Sequence, residues 1–184
     1  MTNQNYPAHL KLNIGCGHDI REGFINMDVA PLGPWVKPLA LGMDKIPFKD
    51  ESVSLIILQD VLEHIANINY ALKECHRVLI KKGSIIVRVP HFSYHRAFED
   101  PTHIRFYAIR TFDFFLTTHN RSYQSDFSFS SITTNLRFLK KWYYPLNLLT
   151  EPIVNFNKYS QYLYESSCLR SFFPAENIMV ILTK

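Results

Sequence analysis

Three groups of residues in this 184-residue chain have the types and spacing to do chemistry. The first is Gly15-Cys16-Gly17, with Asp28 eleven positions after Gly17. Glycines let a ligand reach the backbone where a side chain would stand in the way. A carboxylate at a strand end can accept two hydrogen bonds from a ribose diol. Together they read as a nucleoside site. The second group is Gln59-Asp60, with His64 shortly after. The third is the run His91–Tyr107, HFSYHRAFEDPTHIRFY, which holds three histidines, two acids, two arginines and two tyrosines. Histidine is the natural proton acceptor near neutral pH. His91 and His103 are therefore candidate general bases, with Asp100 as the acid that orients them.

The elements that must position these groups follow from hydrophobic patterning. Leu10, Leu12 and Ile14 alternate and read as a buried strand that breaks at the glycine turn. Phe24, Ile25 and Met27 form a second strand ending at Asp28. Val53–Leu58 and Ser84–Pro90 are further strands, and Pro90 closes the last because proline cannot continue a central ladder. A helix after Glu63 is expected from the spacing of Ile65, Ile68, Leu72, Cys75, Val78 and Leu79. Thr111 is expected to cap a short helix through Leu116. A long strand near Phe129–Leu139 and a last one at Asn177–Thr183 complete the set. In open α/β sheets the ligand lies beyond the carboxyl ends of the strands. All three groups fall at such ends.

The nucleoside class narrows by elimination. A dinucleotide fingerprint would place a third glycine where Ile20 stands, and the Gly-Lys-Ser/Thr of a P-loop is absent. A nucleoside without pyrophosphate remains, of which S-adenosylmethionine is the common one. Five segments in order strengthen this: LNIGCG, NMD, IPFKDESVSLI, LEHI and RVLIKKG. From Leu10 to Pro90 the chain resembles the class I S-adenosylmethionine-dependent methyltransferases, particularly the small type 11 group.

The resemblance implies a Rossmann-like α/β fold with a mostly parallel central sheet and an antiparallel edge strand. It implies S-adenosylmethionine as cofactor. Cofactor contacts are then expected from Asn13, Gly15, Cys16 and Gly17 at the first strand end, and from Asp28 and Val29 at the second. Met43 and Asp44 follow in the turn before Ile46-Pro47-Phe48, and Gln59 and Asp60 at the fourth strand end. Cys16 is expected to be a small filler between cofactor and sheet. His91, Asp100 and His103 are the candidate catalytic residues, and His64, Tyr94 and Arg105 the candidate substrate contacts. Relatives show a similar Asp-Pro-Thr-His-x-Arg-x-Phe element, which is expected to face the acceptor.

Two departures from the family pattern matter. The usual spacing from glycine turn to ribose acid is about 20 residues, so the helix between the first two strands must be shortened or replaced by a loop. Many relatives also carry an Asp four residues before Leu-Pro-Phe, where this chain has Gly42. Asp44 is left as an open substitute.

Bulk properties bound the rest. The length suits one domain over residues 1–184. Residues 1–90 form its cofactor half, 91–126 an acceptor loop and helix, and 142–174 an aromatic-rich insertion between the last two strands. Net charge is +4 and the basic residues are scattered apart from Lys81-Lys82 and Lys140-Lys141, which argues against a nucleic-acid surface. Three sparse cysteines suit reduced thiols in the cytoplasm. Met1–His9 lacks a signal-peptide apolar stretch and no run reaches spanning length. Peripheral membrane contact stays open through the insertion, whose bland alternative is a helix pair covering the sheet edge.

The expected function is methyl transfer to a small polar acceptor such as a sugar, glycan precursor or carboxylated metabolite. No strict metal-ligand spacing is present, so no metal is expected. Two alternatives stand: a catalytically silent S-adenosylmethionine-binding scaffold, and a metal-dependent enzyme built on the His91–His103 loop. Sequence leaves the oligomeric state open.

Overall fold

The computed structural model describes residues 9–118, 126–140 and 146–184. Met1–Ala8, Lys141, Trp142, Tyr143 and Tyr144 lie outside them. Seven strands form one sheet: β1 (Leu10–Ile14), β2 (Ile25–Asp28), β3 (Val36–Pro38), β4 (Val53–Gln59), β5 (Leu79–Pro90), β6 (Ser131–Phe138) and β7 (Ala175–Thr183). Their order is β3-β2-β1-β4-β5-β7-β6. Every neighbouring pair is parallel except the two made by β7. The strand that runs against the others is therefore one place in from the edge. The order reverses direction at β1, which makes the β1/β4 junction a switch point where a crevice opens. The link from β1 to β2 is a loop with no helix, as the short Gly17–Asp28 spacing requires.

The core lies on one face of the sheet, where the register aligns apolar residues of neighbouring strands. Leu12, Ile56, Leu58, Val87, Val89, Ile178 and Val180 are fully buried. Helix α1 (Ile68–Val78) adds Ala71, Leu72, Cys75 and Val78 to the same core. It starts later than the apolar period suggests. Asn67 accepts the Tyr70 N–H at 3.1 Å and caps the helix there. Ile65 is extended and ends a separate 3₁₀ turn, Leu62–His64. The last turn of α1 pins the Ile46-Pro47-Phe48 segment. Glu74 accepts the Ile46 N–H, and Arg77 donates to the Ile46 and Phe48 carbonyls while chelating Glu74.

Residues Thr111–Phe115 form a 3₁₀ helix. Thr111 lies inside it, and its hydroxyl accepts the Ala108 N–H at 3.0 Å rather than capping an α-helix. The short α2 (Arg96–Glu99) lies in the loop after β5. The insertion contains α3 (Asn147–Val154), α4 (Lys158–Ser166) and α5 (Leu169–Phe172). These helices cover edge strand β6. The Asn155 amide pairs with both backbone groups of Leu136, and Gln161 donates to the Thr134 carbonyl. An uncovered edge would invite pairing with another chain. Lys140 pairs with Glu151 of α3. Tyr164 is buried, while Phe156, Tyr159 and Phe172 face solvent. None of the described helices is long and apolar enough to cross a membrane. The three cysteines are all free thiols.

The glycine turn gives a stability test. Gly15 has φ +68°, and a Cβ there would fall 2.2 Å from a Val61 methyl. Left-handed backbone costs about 1–2 kcal/mol for a side-chain-bearing residue, and overpacking adds roughly 1–3 kcal/mol. Gly15→Ala should thus lose about 2–5 kcal/mol in urea unfolding. The Gly15→Ala/Val61→Ala double variant should lose less than the two single losses combined. Simple additivity would show that the two side chains do not meet.

Candidate functional site

The carboxyl ends of β1 and β2 are locked together. The Gly15 and Cys16 N–H groups both donate to the Met27 carbonyl, at 2.8 and 3.1 Å. The Gly17 N–H donates to Asp28 Oδ2 at 2.8 Å, and the Ala30 N–H to Asp28 Oδ1 at 2.9 Å. Each carboxylate oxygen keeps a lone pair for a further donor. Gly17 has φ +46°, and no atom lies within 4 Å of where its Cβ would stand. That face is open to a ligand. A cavity of about 220 Å³ lies beside it. Gly15, Asp28, Val29, Asp60 and His64 line it, with apolar walls from Leu39, Leu41, Val61 and Ile65. An acid able to take ribose hydroxyls, an open glycine and an aliphatic wall for a flat base fit S-adenosylmethionine.

Other expected cofactor contacts act from behind. Asn13 is buried and spends its amide on the Asp19 carbonyl and Asn26. It shapes the turn. Cys16 is buried too, and burial pushes its thiol up, which fits a filler rather than a reactive group. Gln59 accepts from Arg21 at 3.0 Å. Met43 and Asp44 do not line the cavity. Met43 is 80% exposed, and Asp44 accepts the Ala40 N–H to close its own turn. Leu39 and Leu41 take that wall instead. Gly42 has φ +90°, and a Cβ there would fall 2.7 Å from an Ile65 methyl. The aspartate many relatives carry would therefore be strained here.

A second cavity of about 410 Å³ shares Asp60 with the first. Glu63, Arg88, Tyr94, Asp100, His103 and Glu176 are among the residues around it. Asp60 stands in left-handed backbone, φ +54°, and its carboxylate is chelated by Arg88. Loop residues 102–107 are fastened to the 3₁₀ turn at successive points. The Tyr107 hydroxyl donates to the Leu62 carbonyl at 2.8 Å, the Ile104 N–H to the Glu63 carbonyl at 3.0 Å, and Arg105 to the Ile65 and Ala66 carbonyls.

These fastenings bring His103 beside Glu63 and His64. The two imidazoles meet edge to face with centroids 4.8 Å apart. His103 Nδ1 faces the Ala97 carbonyl at 3.0 Å, so that nitrogen carries the hydrogen. Thr102 donates its hydroxyl hydrogen to Asp100 at 2.6 Å, so its oxygen accepts from His64 Nδ1 at 2.9 Å. Each ring thus keeps its lone pair on Nε2. Asp100 orients His64 through Thr102, and His103 is held by the Ala97 carbonyl with its Nε2 3.9 Å from Asp100 Oδ2. Thr102 also holds the Asp100 carboxyl below the usual range. Glu63 is 1% exposed, and neither carboxylate oxygen has a hydrogen-bond partner. Burial pushes its carboxyl up to about 7. A Glu63 oxygen and one nitrogen from each of His64 and His103 lie within 4.8 Å of one another.

Two expected site residues lie elsewhere. His91 is fully buried; its Nε2 meets Glu165 of α4 at 3.0 Å, and its Nδ1 meets Ser93. It fastens the insertion to the end of β5 and reaches neither cavity. Arg105 spends its guanidinium on backbone carbonyls. It lines a separate cavity of about 670 Å³ near the start of α1, which shares no residue with the other two. Glu63 is the residue that spacing missed. Its one sequence signal is an acid set among Val61, Leu62 and Ile65.

Known proteins share the fold that carries these residues. The family described as a methyltransferase domain, type 11, matches residues 16–87. No curated protein matches. A S-adenosylmethionine-dependent methyltransferase from Archaeoglobus fulgidus has the same fold at TM-score 0.64 and 15% identity, over 97% of this chain and 87% of that one. One from Mesorhizobium loti aligns at TM-score 0.53 and 10% identity, over 98% and 93%. The cyclase SpnF aligns at 0.52 and 12%, over 96% and 75%. Residues 16–87 thus resemble a methyltransferase domain, and the chain has the fold of the S-adenosylmethionine-dependent methyltransferases it aligns with.

His91→Ala should therefore act on stability. Loss of a buried, doubly bonded ring should cost roughly 2–4 kcal/mol in urea unfolding, with cofactor affinity kept in the folded protein. Unchanged stability with lost methyl transfer would restore His91 to the chemistry.

Proposed function

We propose that the chain transfers the methyl group of S-adenosylmethionine to a hydroxyl of a small, neutral, polyhydroxylated acceptor such as a sugar or glycan precursor. The observation that carries this is the second cavity, which meets the cofactor cavity at Asp60 and is rich in carboxylates. Asp60, Glu63, Glu99, Asp100 and Glu176 surround it, against Arg88 and Arg96. Arg88 is already held by Asp60. An excess of hydrogen-bond acceptors suits an acceptor made of hydroxyl donors. It disfavours the carboxylated metabolite, which would meet like charge.

When bound, the cofactor supplies an electrophilic methyl and its own leaving group. The protein's part is orientation, exclusion of water and care of the proton. Gly17 and Asp28 hold the nucleoside, and Leu39, Leu41 and Ile65 enclose it. The hydroxyl to be methylated lies against Glu63 and His103, at the wall the two cavities share. Tyr94 flanks it, and Asp100 acts through Thr102 on His64. In this reading the described residues of 1–90 hold the cofactor, those of 91–126 form the acceptor side and those of 142–174 cover the sheet edge. Free cysteines suit a reducing compartment such as the cytoplasm.

Labelled methyl transfer to a panel of neutral sugars and matched sugar acids tests the proposal. Neutral members should be methylated in preference to acids. Preference for the acids would remove the role given to the carboxylate wall. Tight cofactor binding with no transfer to any member would favour a silent scaffold. Asp28→Ala should weaken cofactor binding by roughly 1.5–3 kcal/mol in calorimetric titration, as expected for lost charge-assisted hydrogen bonds. An unchanged Kd would show that Asp28 does not hold the ribose.

A further inference from the structure

We propose that Glu63, His64 and His103 bind a divalent first-row transition-metal ion at the wall between the two cavities. The ion's use in catalysis rests on the methyl-transfer reading above; its binding does not.

Four observations converge on this cluster. Glu63 is a buried carboxylate whose two oxygens have no partner. Buried charge of that kind is ordinarily paired or coordinates a metal. Both histidines have their Nδ1 hydrogens committed, to the Ala97 carbonyl and to Thr102, which leaves a lone pair on each Nε2. Metal-binding histidines characteristically donate their other N–H to a carbonyl, carboxylate or similar group, which fixes the ring. The Asp100–Thr102–His64 chain is such a support. The third observation is distance: one ligand atom from each residue lies within 4.8 Å of the others. Ligands about 2.0–2.2 Å from one ion lie roughly 3–4 Å apart, so a small side-chain movement closes the set.

The fourth is position. Glu63 and His103 face the acceptor cavity, and His64 faces the cofactor cavity. Three protein ligands leave coordination positions open for an acceptor oxygen. Two imidazoles and one carboxylate suit zinc, iron or manganese, whereas calcium and magnesium prefer all-oxygen sets. The nearby Arg88 guanidinium does not serve as the partner of Glu63, being chelated by Asp60. The ligands come from distant parts of the chain, which is why no spacing motif announces them.

Untagged protein stripped of metal should be titrated with Zn²⁺ by calorimetry and with Co²⁺ by visible absorption. About one equivalent should bind, with ligand-field bands for Co²⁺ and a raised Tm. Glu63→Gln and His103→Ala should each abolish saturable binding. Thr102→Val removes only a support of His64 and should weaken binding by about 10–100-fold. It guards against misfolding of the ligand variants. His95→Ala, an exposed residue outside the cluster, should bind like wild type. No saturable binding by the folded wild type, or binding that survives Glu63→Gln and His103→Ala, overturns the site. S-adenosylmethionine is titrated separately into the same samples. Zn²⁺ binding without cofactor binding would leave the metal site standing and remove the methyl-transfer reading. The reverse would remove the metal site alone.

Discussion

The site depends on a row of backbone carbonyls, Leu62, Glu63, Ile65 and Ala66, of which the 3₁₀ turn itself pairs Leu62 alone, with the Ile65 N–H. Leu62–His64 makes a single 3₁₀ turn, and the chain then extends before α1 begins at Ile68. Carbonyls in such a stretch must be paired if buried. Loop residues 102–107 supply the partners: the Tyr107 hydroxyl to Leu62, the Ile104 N–H to Glu63 and the Arg105 guanidinium to Ile65 and Ala66. Burial raises the Tyr107 phenol, so it remains a donor. This satisfaction of backbone groups carries His103 to Glu63 and His64. The chemistry of the wall is a consequence of how the loop is anchored.

Two glutamates show how surroundings separate structure from function. Glu74 and Glu63 are both buried. Glu74 has Arg77 and the Ile46 N–H, and Arg77 holds its carboxyl below the usual range. It ties the Ile46-Pro47-Phe48 segment to α1. Glu63 has no partner, and burial drives its carboxyl up to about 7. Perturbed groups of this kind cluster at functional sites. Seated between the two cavities, Glu63 is a cost to the fold that a bound group can offset.

Much of the frame was legible because it is written in contiguous residues. Alternation gave the strands, the glycines gave the turn, and the short Gly17–Asp28 spacing gave a connection without a helix. The onset of α1 was not, because Ile65 shares the apolar period while Asn67 sets the cap. The positions of candidate site residues were legible where a strand end fixes direction, as at Gly15, Gly17, Asp28 and Asp60. It was not where the deciding partner is remote. His91 is held by Glu165, 74 positions away, and Arg105 by carbonyls about 40 positions away. Met43 points outward because its turn is closed by Asp44 and Gly42. Glu63 stood inside a recognised segment, but that both its oxygens lack partners is a property of the fold.

The central claim is that cofactor and acceptor meet at Asp60 and Glu63, across the wall joining the two cavities. A crystal structure with the demethylated cofactor tests it most directly. The ribose should lie on Asp28, the base against Leu39, Leu41 and Ile65, and the sulfur should turn toward Asp60 and Glu63. A nucleoside seated in the cavity behind Arg105, or a sulfur turned away from Glu63, would contradict it.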